Sequence, residues 1–450
     1  MMLCSRAART ATAARTIRSF ATATTQSPVT SAAKNHKVVV IGGGTAGLSI
    51  SHQLLDTGKF TQDDIAIVDP SEWHHYQPGW TLVGGGLKTK QELRRPLQSL
   101  LDPKLKLYRG SVGSFAPKEN VVTLANGDKV NYEQLVVVPG ISIDYDKIKG
   151  LPEALAEKDS LVSSIYGYDT VDKVFGTIQK MEKGKALFTQ PAGVMKCAGA
   201  PQKIMWLALD HWKQRGLYNP TNPGSSSINI SFATALPGMF GVPKYSAKLE
   251  ELRKERGVEG LFTHDLVAVN GNTATFSVNG KEQVQKKFDL LHVVPKMGPY
   301  GFIKNSPLAN EAGFVDVNDN TTRHKTFPNV WSAGDASSLP TSKTAAAVTA
   351  QAPVLVRGLT QALEGKEVDV GSAAEGYDGY TSCPITTEYG KVLLAEFKYG
   401  NVPKESFNEW FGWDQIEPRR AFYHLKKDFF PWVYYSALVK GSWGGPKGFL

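Results

Sequence analysis

A short apolar run, Lys37-Val38-Val39-Val40-Ile41, breaks straight into Gly42-Gly43-Gly44-Thr45-Ala46-Gly47 and then into a helical pattern over residues 48–55. Nothing else in the chain restricts the fold so sharply. Gly42, Gly44 and Gly47 give a GxGxxG turn between strand and helix, where backbone N–H groups and a helix N-terminus can face a pyrophosphate. A second apolar run, Ile65-Ala66-Ile67-Val68, ends at Asp69, placed to accept hydrogen bonds from ribose hydroxyls. Strand, glycines, helix, strand and acid in that order describe a dinucleotide-binding α/β unit. From spacing alone, the dinucleotide is FAD or NAD equally.

With 450 residues the chain exceeds one ordinary core, and two or three domains are expected. Residues 151–300 read as an inserted α/β unit, with helix patterns over 171–181, 202–215 and 244–256 and strands over 186–189, 227–232, 261–269, 273–278 and 290–294. The run over 186–189 leads into Gln190-Pro191-Ala192-Gly193, and no second GxGxxG follows. This unit is therefore expected to survive as scaffold without a nucleotide site, which removes hydride transfer from a nicotinamide as the leading reaction. Cys197 stands where that second fingerprint would be. It precedes a pattern expected to be an amphipathic helix, so a thiolate there would be favoured by the helix N-terminus and by Lys196 or Lys203. Cys383 falls in Gly379-Tyr380-Thr381-Ser382-Cys383-Pro384, expected to be a loop. Taken alone, both cysteines are equally readable as small buried apolar residues.

Residues 1–33 hold Arg6, Arg9, Arg15 and Arg18 among Ala, Thr and Ser, and no acid precedes Asp56. That is the composition of a mitochondrial transit peptide; a secretory signal would need a continuous apolar core. Without those four arginines the net charge of +9 falls to about +5, too mild a surplus to argue for nucleic acid. Cys4 would leave with the same segment, and two cysteines support neither a disulfide scaffold nor a cysteine metal cluster. His74-His75 lacks a third ligand at suitable spacing, which leaves a surface or cofactor-adjacent role and no metal site. No apolar run is long enough to span a bilayer.

The dinucleotide is decided downstream. Phe327-Pro328-Asn329-Val330-Trp331-Ser332-Ala333-Gly334-Asp335, followed by Thr341-Ser342-Lys343-Thr344 at the head of an alanine-rich helix, resembles the second FAD motif of two-dinucleotide-domain flavoproteins. The run from Leu135 to Gly140 is similar to the strand and glycine that return the chain to the FAD domain in those proteins. The resemblance implies that Asp335 bonds the ribityl chain and that the following helix points its N-terminus at the flavin.

Three further stretches, Lys196-Cys197-Ala198-Gly199-Ala200-Pro201-Gln202-Lys203, Leu339 to Ala347, and Tyr377-Asp378-Gly379-Tyr380-Thr381-Ser382-Cys383-Pro384, closely resemble the mitochondrial sulfide:quinone oxidoreductases. Tyr76-Gln77-Pro78, Trp80-Thr81-Leu82-Val83-Gly84 and Trp443-Gly444-Gly445-Pro446 match as well. The likeness covers nearly everything after the transit-like segment. It implies an α/β fold with two Rossmann-like domains of the disulfide-oxidoreductase flavoprotein type and a C-terminal membrane-associating section. The expected divisions are a FAD domain at 34–150 and 301–370, the second Rossmann-like domain at 151–300, and the C-terminal section at 371–450.

The resemblance also implies a chemistry. Cys197 and Cys383 would be joined through a disulfide or an inserted sulfur on the re side of the flavin. Hydrogen sulfide, as hydrosulfide, would attack the bridge, leaving a persulfide on Cys383 and a thiolate on Cys197 that passes two electrons to FAD. The sulfane sulfur would leave to glutathione, sulfite, cyanide or sulfide, and ubiquinone would reoxidise the flavin. Thiol exchange reasoned from below agrees, because attack at one sulfur needs a thiolate leaving group at the other. The FAD contacts carried across are Thr45, Ala46, Asp69, Gln77, Val112, Asp335 and Lys343, beside the glycines at 42, 44, 47, 140 and 334. Lys343 would favour the anionic reduced flavin. With no third cysteine in the mature chain, the FAD is expected to be held non-covalently.

From Arg419 onward aromatics alternate with bases, among them Phe422, Tyr423, Lys426, Lys427, Phe429, Phe430, Trp432, Tyr434 and Tyr435. Helices of that kind suit a peripheral position in the headgroup layer, expected to be the matrix face of the mitochondrial inner membrane, where ubiquinone resides. An aromatic helix packed on the domain is the alternative. Two rival functions remain on the same fold: an NADH:quinone oxidoreductase indifferent to both cysteines, and a non-catalytic FAD-binding partner protein.

Overall fold

The computed structural model describes residues 34–368 and 376–446, so the transit-like segment at 1–33 lies outside the described residues. Strand β1 (Lys34–Ile41) runs into helix α1 (Thr45–Asp56), and β2 (Ile65–Val68) returns parallel beside it. β1 also pairs in parallel with β3 (Lys129–Val137). The second half of β1 has parallel partners on both edges and a separate core against each face, Val38 and Val40 in one and Val39 and Ile41 in the other, which is why all four are apolar and buried. These strands are the centre of a seven-stranded sheet that continues to Lys106–Tyr108 on one side and to Val121–Leu124 and Val112–Ala116 on the other. β3 forks: its first residues pair antiparallel with Val121–Leu124, while Leu135 and Val136 pair in parallel with Val330–Trp331. The sheet is thus completed only when the chain comes back from the second unit.

That second unit is built on a five-stranded, fully parallel sheet with β4 (Gly184–Gln190) in the middle, between Leu290–His292 and Ile228–Thr234. The run expected as one strand over 261–269 is two strands. The chain turns at Thr263, whose φ is +57°, and passes from the parallel sheet at Glu259–Phe262 to an antiparallel meander beginning at His264–Asn270. Helix α2 (Ala200–Gln214) follows β4, and it is not the amphipathic helix expected. Every side chain from Ala200 to Asp210 is buried, because β4 lies on one side of the helix and the C-terminal hairpin on another.

Helix α3 (Ala345–Leu363) caps its own start with the Thr344 hydroxyl, which accepts from the Ala347 N–H at 3.1 Å. The hairpin is formed by β5 (Thr381–Glu388) and β6 (Lys391–Lys398), with Cys383 opposite Ala395. Cys383 therefore sits in a strand, where a loop was expected. Pro384 does not prevent this, since β5 is an edge strand and no partner needs the missing N–H. Beyond the hairpin, α4 (Arg420–His424) and α5 (Phe430–Ser436) are joined by a π-helical stretch, Leu425–Phe429. Phe422, Tyr423, Val433 and Tyr434 pack inward, while Trp432 is 64% exposed. Among the described residues no helix is long and apolar enough to cross a membrane.

Candidate active site

The first turn is a cradle that only glycine permits. Gly42 has φ +106°, and a Cβ there would lie 2.7 Å from Pro139 Cα; a Cβ on Gly47 would lie 1.8 Å from the Gly42 carbonyl oxygen. α1 begins without a capping side chain or an acid in its first turn, so its leading amides are available to an anion. The carboxylate of Asp69 accepts from the Gly43 N–H at 2.6 Å and from the Ser71 N–H at 2.7 Å. It pins the glycine turn and, like Gly42 and Gly47, does not itself line the cavity described next.

A cavity of about 420 Å³ opens from this turn toward the second unit. Its walls include Gly44, Thr45, Ala46, Gln77, Gly140, Gly334, Asp335, Lys343 and Cys197. Nothing stands within 4 Å of where a Cβ would be on Gly44 or Gly140, so backbone is open to a ligand at both places. A dinucleotide fits these residues: an uncapped helix for its phosphates, bare glycine backbone along its length, and a buried acid and base farther in. Gly42 and Gly47 shape the turn without lining the cavity. Val112 is buried in the strand Val112–Ala116, packed with Val39 and Ile41, and does not line it either.

The acid and base modify each other. Burial pushes the Asp335 carboxyl up, against the pull of Lys196 and Lys343. Burial likewise brings the Lys343 ammonium down to about 8 despite Asp335. The Lys343 amine donates to the carbonyls of Ser337 at 2.8 Å and Leu339 at 3.2 Å, and its own carbonyl accepts from the Cys197 N–H at 2.8 Å. That last bond ties the second turn to the first unit.

Cys197 occupies the left-handed region, φ +54°, which its non-glycine side chain enters at a cost held by the surrounding contacts. Its Sγ lies 3.7 Å from Cys383 Sγ, although 186 positions separate the two in sequence. The approach depends on Gly199, whose absent Cβ would lie 3.1 Å from Ile385 Cγ1 and 3.5 Å from Cys383 Cβ. Lys203 Nζ is 3.2 Å from Cys197 Sγ. Lys196 does not share that role, since its amine donates to Gln77 Oε1 at 3.0 Å.

The two sulfurs are electrostatically unequal. The hydrogen bond from Cys383, with Lys203 close by, holds the Cys197 thiol well below its usual range in spite of burial. The same bond, together with burial and the neighbouring negative charge, pushes Cys383 well above it. When the reduced pair holds one proton, these opposite shifts favour it on Cys383 and the thiolate on Cys197.

Two residues at the site escaped the sequence reading, and for a third the structure decides between the two roles left open. Lys426, expected among basic flanks, is 4% exposed and lines the cavity; burial and the charge of Lys203 push its amine well down. A π-helical stretch turns it inward, and a regular helical period does not register such an insertion. Tyr166 also lines the cavity, and its hydroxyl donates to the Lys196 carbonyl at 3.0 Å. His74, expected either on the surface or beside the cofactor, is buried against the glycine turn, with Nδ1 3.0 Å from the Gly43 carbonyl and Nε2 2.8 Å from the Tyr434 hydroxyl.

No family model matches the chain. Among curated proteins, the mitochondrial sulfide:quinone oxidoreductase of Schizosaccharomyces pombe is 44% identical over 440 residues, covering 93% of this chain and 93% of the relative. The chain belongs to the mitochondrial sulfide:quinone oxidoreductase family. The Dictyostelium discoideum member of that family is 42% identical, covering 91% of this chain and 87% of its own length. The X-ray structure of the sulfide:quinone oxidoreductase from Aquifex aeolicus superposes with a TM-score of 0.70 over 90% of this chain and 92% of that one, at 16% identity, and so shares the fold. The fold is the paired Rossmann-like architecture of FAD-dependent disulfide oxidoreductases, and the family is one of flavoenzymes.

Proposed function

We propose that this chain is an FAD-dependent sulfide:quinone oxidoreductase that works through Cys197 and Cys383. The observation that carries the reading is the unequal sulfur pair beside the dinucleotide cavity. When two linked sulfurs are attacked by a nucleophile, the one that better bears negative charge leaves. Cys197 is that sulfur, so hydrosulfide attacks on the Cys383 side. One S–S bond forms and one breaks, giving a persulfide on Cys383 and the Cys197 thiolate, with no change in total electrons. Lys203 meets the charge as it develops on Cys197, and the buried wall around Cys383 excludes bulk water from the persulfide.

FAD, when bound, would supply the acceptor for the two electrons that the Cys197 and Cys383 sulfurs give up as their bridge re-forms after the outer sulfur has left, with ubiquinone as the final oxidant. The residues that would hold it are the Gly42–Gly47 turn with the first amides of α1, Asp69, and the Gly334, Asp335 and Lys343 wall. The binding is non-covalent in this reading, because both cysteines of the described chain are committed to sulfur exchange. The outer sulfur passes to a small acceptor such as glutathione, sulfite, cyanide or a second sulfide. Exposed Phe411, Trp413 and Trp432 support peripheral seating on a lipid surface, which we place at the matrix face of the mitochondrial inner membrane.

Anaerobic addition of sulfide to the purified holo-protein tests this directly. Bleaching of the flavin absorbance, recovered on adding a soluble quinone and lost in Cys197→Ser and Cys383→Ser, is the expected result. Bleaching by NADH with no response to sulfide would overturn it.

A further inference from the structure

The Tyr434 hydroxyl lies 2.7 Å from Thr45 Oγ1 and 2.8 Å from His74 Nε2, while His74 Nδ1 lies 3.0 Å from the Gly43 carbonyl. The carbonyl can only accept, so the His74 proton is on Nδ1 and Nε2 is the acceptor. Tyr434 must then donate to Nε2, and the Thr45 hydroxyl must donate to Tyr434. Each group has one role, and the ring from Gly43 through His74 and Tyr434 to Thr45 closes on the glycine turn itself. Tyr434 is 1% exposed and both His74 bonds are buried, while the Thr45 hydroxyl reaches Tyr434 from the cavity wall.

The chain beyond Tyr434 stays pressed on the same site. A Cβ on Gly441 would lie 2.8 Å from Gln53 N on α1, and one on Gly445 would lie 2.4 Å from Thr349 Oγ1 on α3. The segment thus bridges the two helices whose N-termini face the cavity, and Tyr434, Leu438, Trp443 and Pro446 form part of the cavity wall. Leading amides of α1 are useful to a pyrophosphate only if the Gly43–Thr45 turn keeps its course. A group that pins both sides of that turn pre-organises it.

We infer that α5 and the chain after it complete the dinucleotide site: Tyr434 is a positioning residue that fixes the Gly43–Thr45 turn, and residues 434–446 strap α1 to α3 and retain the dinucleotide. The inference rests on the FAD-dependent reading, and it assigns to the C-terminal section a part in cofactor retention separate from any contact with lipid or quinone.

The test uses the full-length holo-protein and follows the fluorescence of FAD released after dilution. Tyr434→Phe takes the Tyr434 partner from the Thr45 hydroxyl and from His74 Nε2, and release is expected to quicken about tenfold. Thr45→Val is expected to quicken it as well, and the double variant should release no faster than the quicker single variant, because both break one ring. Independently of any variant, hydrogen exchange of amides in residues 430–446 of the wild-type chain should slow by about tenfold or more when FAD is restored to the apo-protein. Release from Tyr434→Phe within about twofold of wild type would overturn the inference; so would additive effects in the double variant, or exchange indifferent to FAD. A preparation that takes up no FAD would sink the functional reading itself, whereas one that binds FAD and bleaches with sulfide but shows these null results sinks only the strap.

Discussion

The turns after β1 and β4 hold equivalent places, each following a strand with parallel partners on both sides and feeding a long helix. They differ in what fills the helix N-terminus. After β1, bare glycine backbone leaves an open concavity, and α1 starts with no capping side chain. After β4, the chain takes a longer path through Pro191 and Gly193 to Cys197, and α2 starts against β5, with Gly199 in contact with Ile385. A phosphate has room at the first turn. At the second, the hairpin occupies that room and a sulfur receives the positive surroundings instead. One architecture thus yields an anion cradle where the space is open and a stabilised thiolate where a third element closes it.

The largest expected effects come from the sulfurs. Cys197→Ser or Cys383→Ser should lower the rate of sulfide-driven flavin bleaching by about 1,000-fold or more while FAD content stays near wild type. Equal bleaching in either variant would break the comparison. Gly47→Val should do the reverse, with FAD content below about a tenth of wild type because its side chain collides with the Gly42 carbonyl; the ratio of flavin to protein absorbance reads this. Lys203→Met should slow bleaching by roughly 10- to 100-fold. Its pH profile carries the sign: Cys197 is a thiolate above its lowered pKa, so removing the cation should move the acid limb of the rate profile to higher pH. Gly199→Val should retain FAD but part the sulfurs, with a loss of about tenfold in stopped-flow bleaching.

The remaining effect concerns stability and leaves the chemistry at neutral pH untouched. Burial lowers the His74 pKa from 6.5 to about 4. The unfolded chain takes up that proton below 6.5 and the folded chain does not, so stability is full above 6.5 and declines as pH falls toward 4. The decline attributable to this residue is about 3 kcal/mol. Denaturant titrations from pH 7 to pH 4 should show a shallower decline in His74→Gln, and equal slopes would reject the buried neutral imidazole.

Local pattern made the first unit legible: the period of β1, the glycine spacing and the acid after β2 are all contained within residues 34–69. The elements of the second unit were legible too, but Thr263 gives no local sign of a break, because threonine favours strands and no glycine or proline stands between Leu261-Phe262 and Leu266-Val267. Cys383 was placed in a loop since Gly379 and Pro384 bracket it; only its position on an edge strand makes that proline acceptable. Lys426 reads as a surface residue, and His74 as a surface or cofactor-adjacent one, because charge and polarity are the ordinary marks of exposure. Their burial depends on cavities formed by distant segments.

By itself the sequence determined the flavin-binding architecture and named the two cysteines, since a glycine fingerprint and a family motif are written in consecutive residues. Tertiary structure decided the inequality of the sulfurs, the choice of Lys203 over Lys196, and the placing of Tyr434 on the first glycine turn. Each of these depends on distances between elements far apart in the chain, and electrostatic energy and hydrogen bonding follow distance and burial, not sequence order.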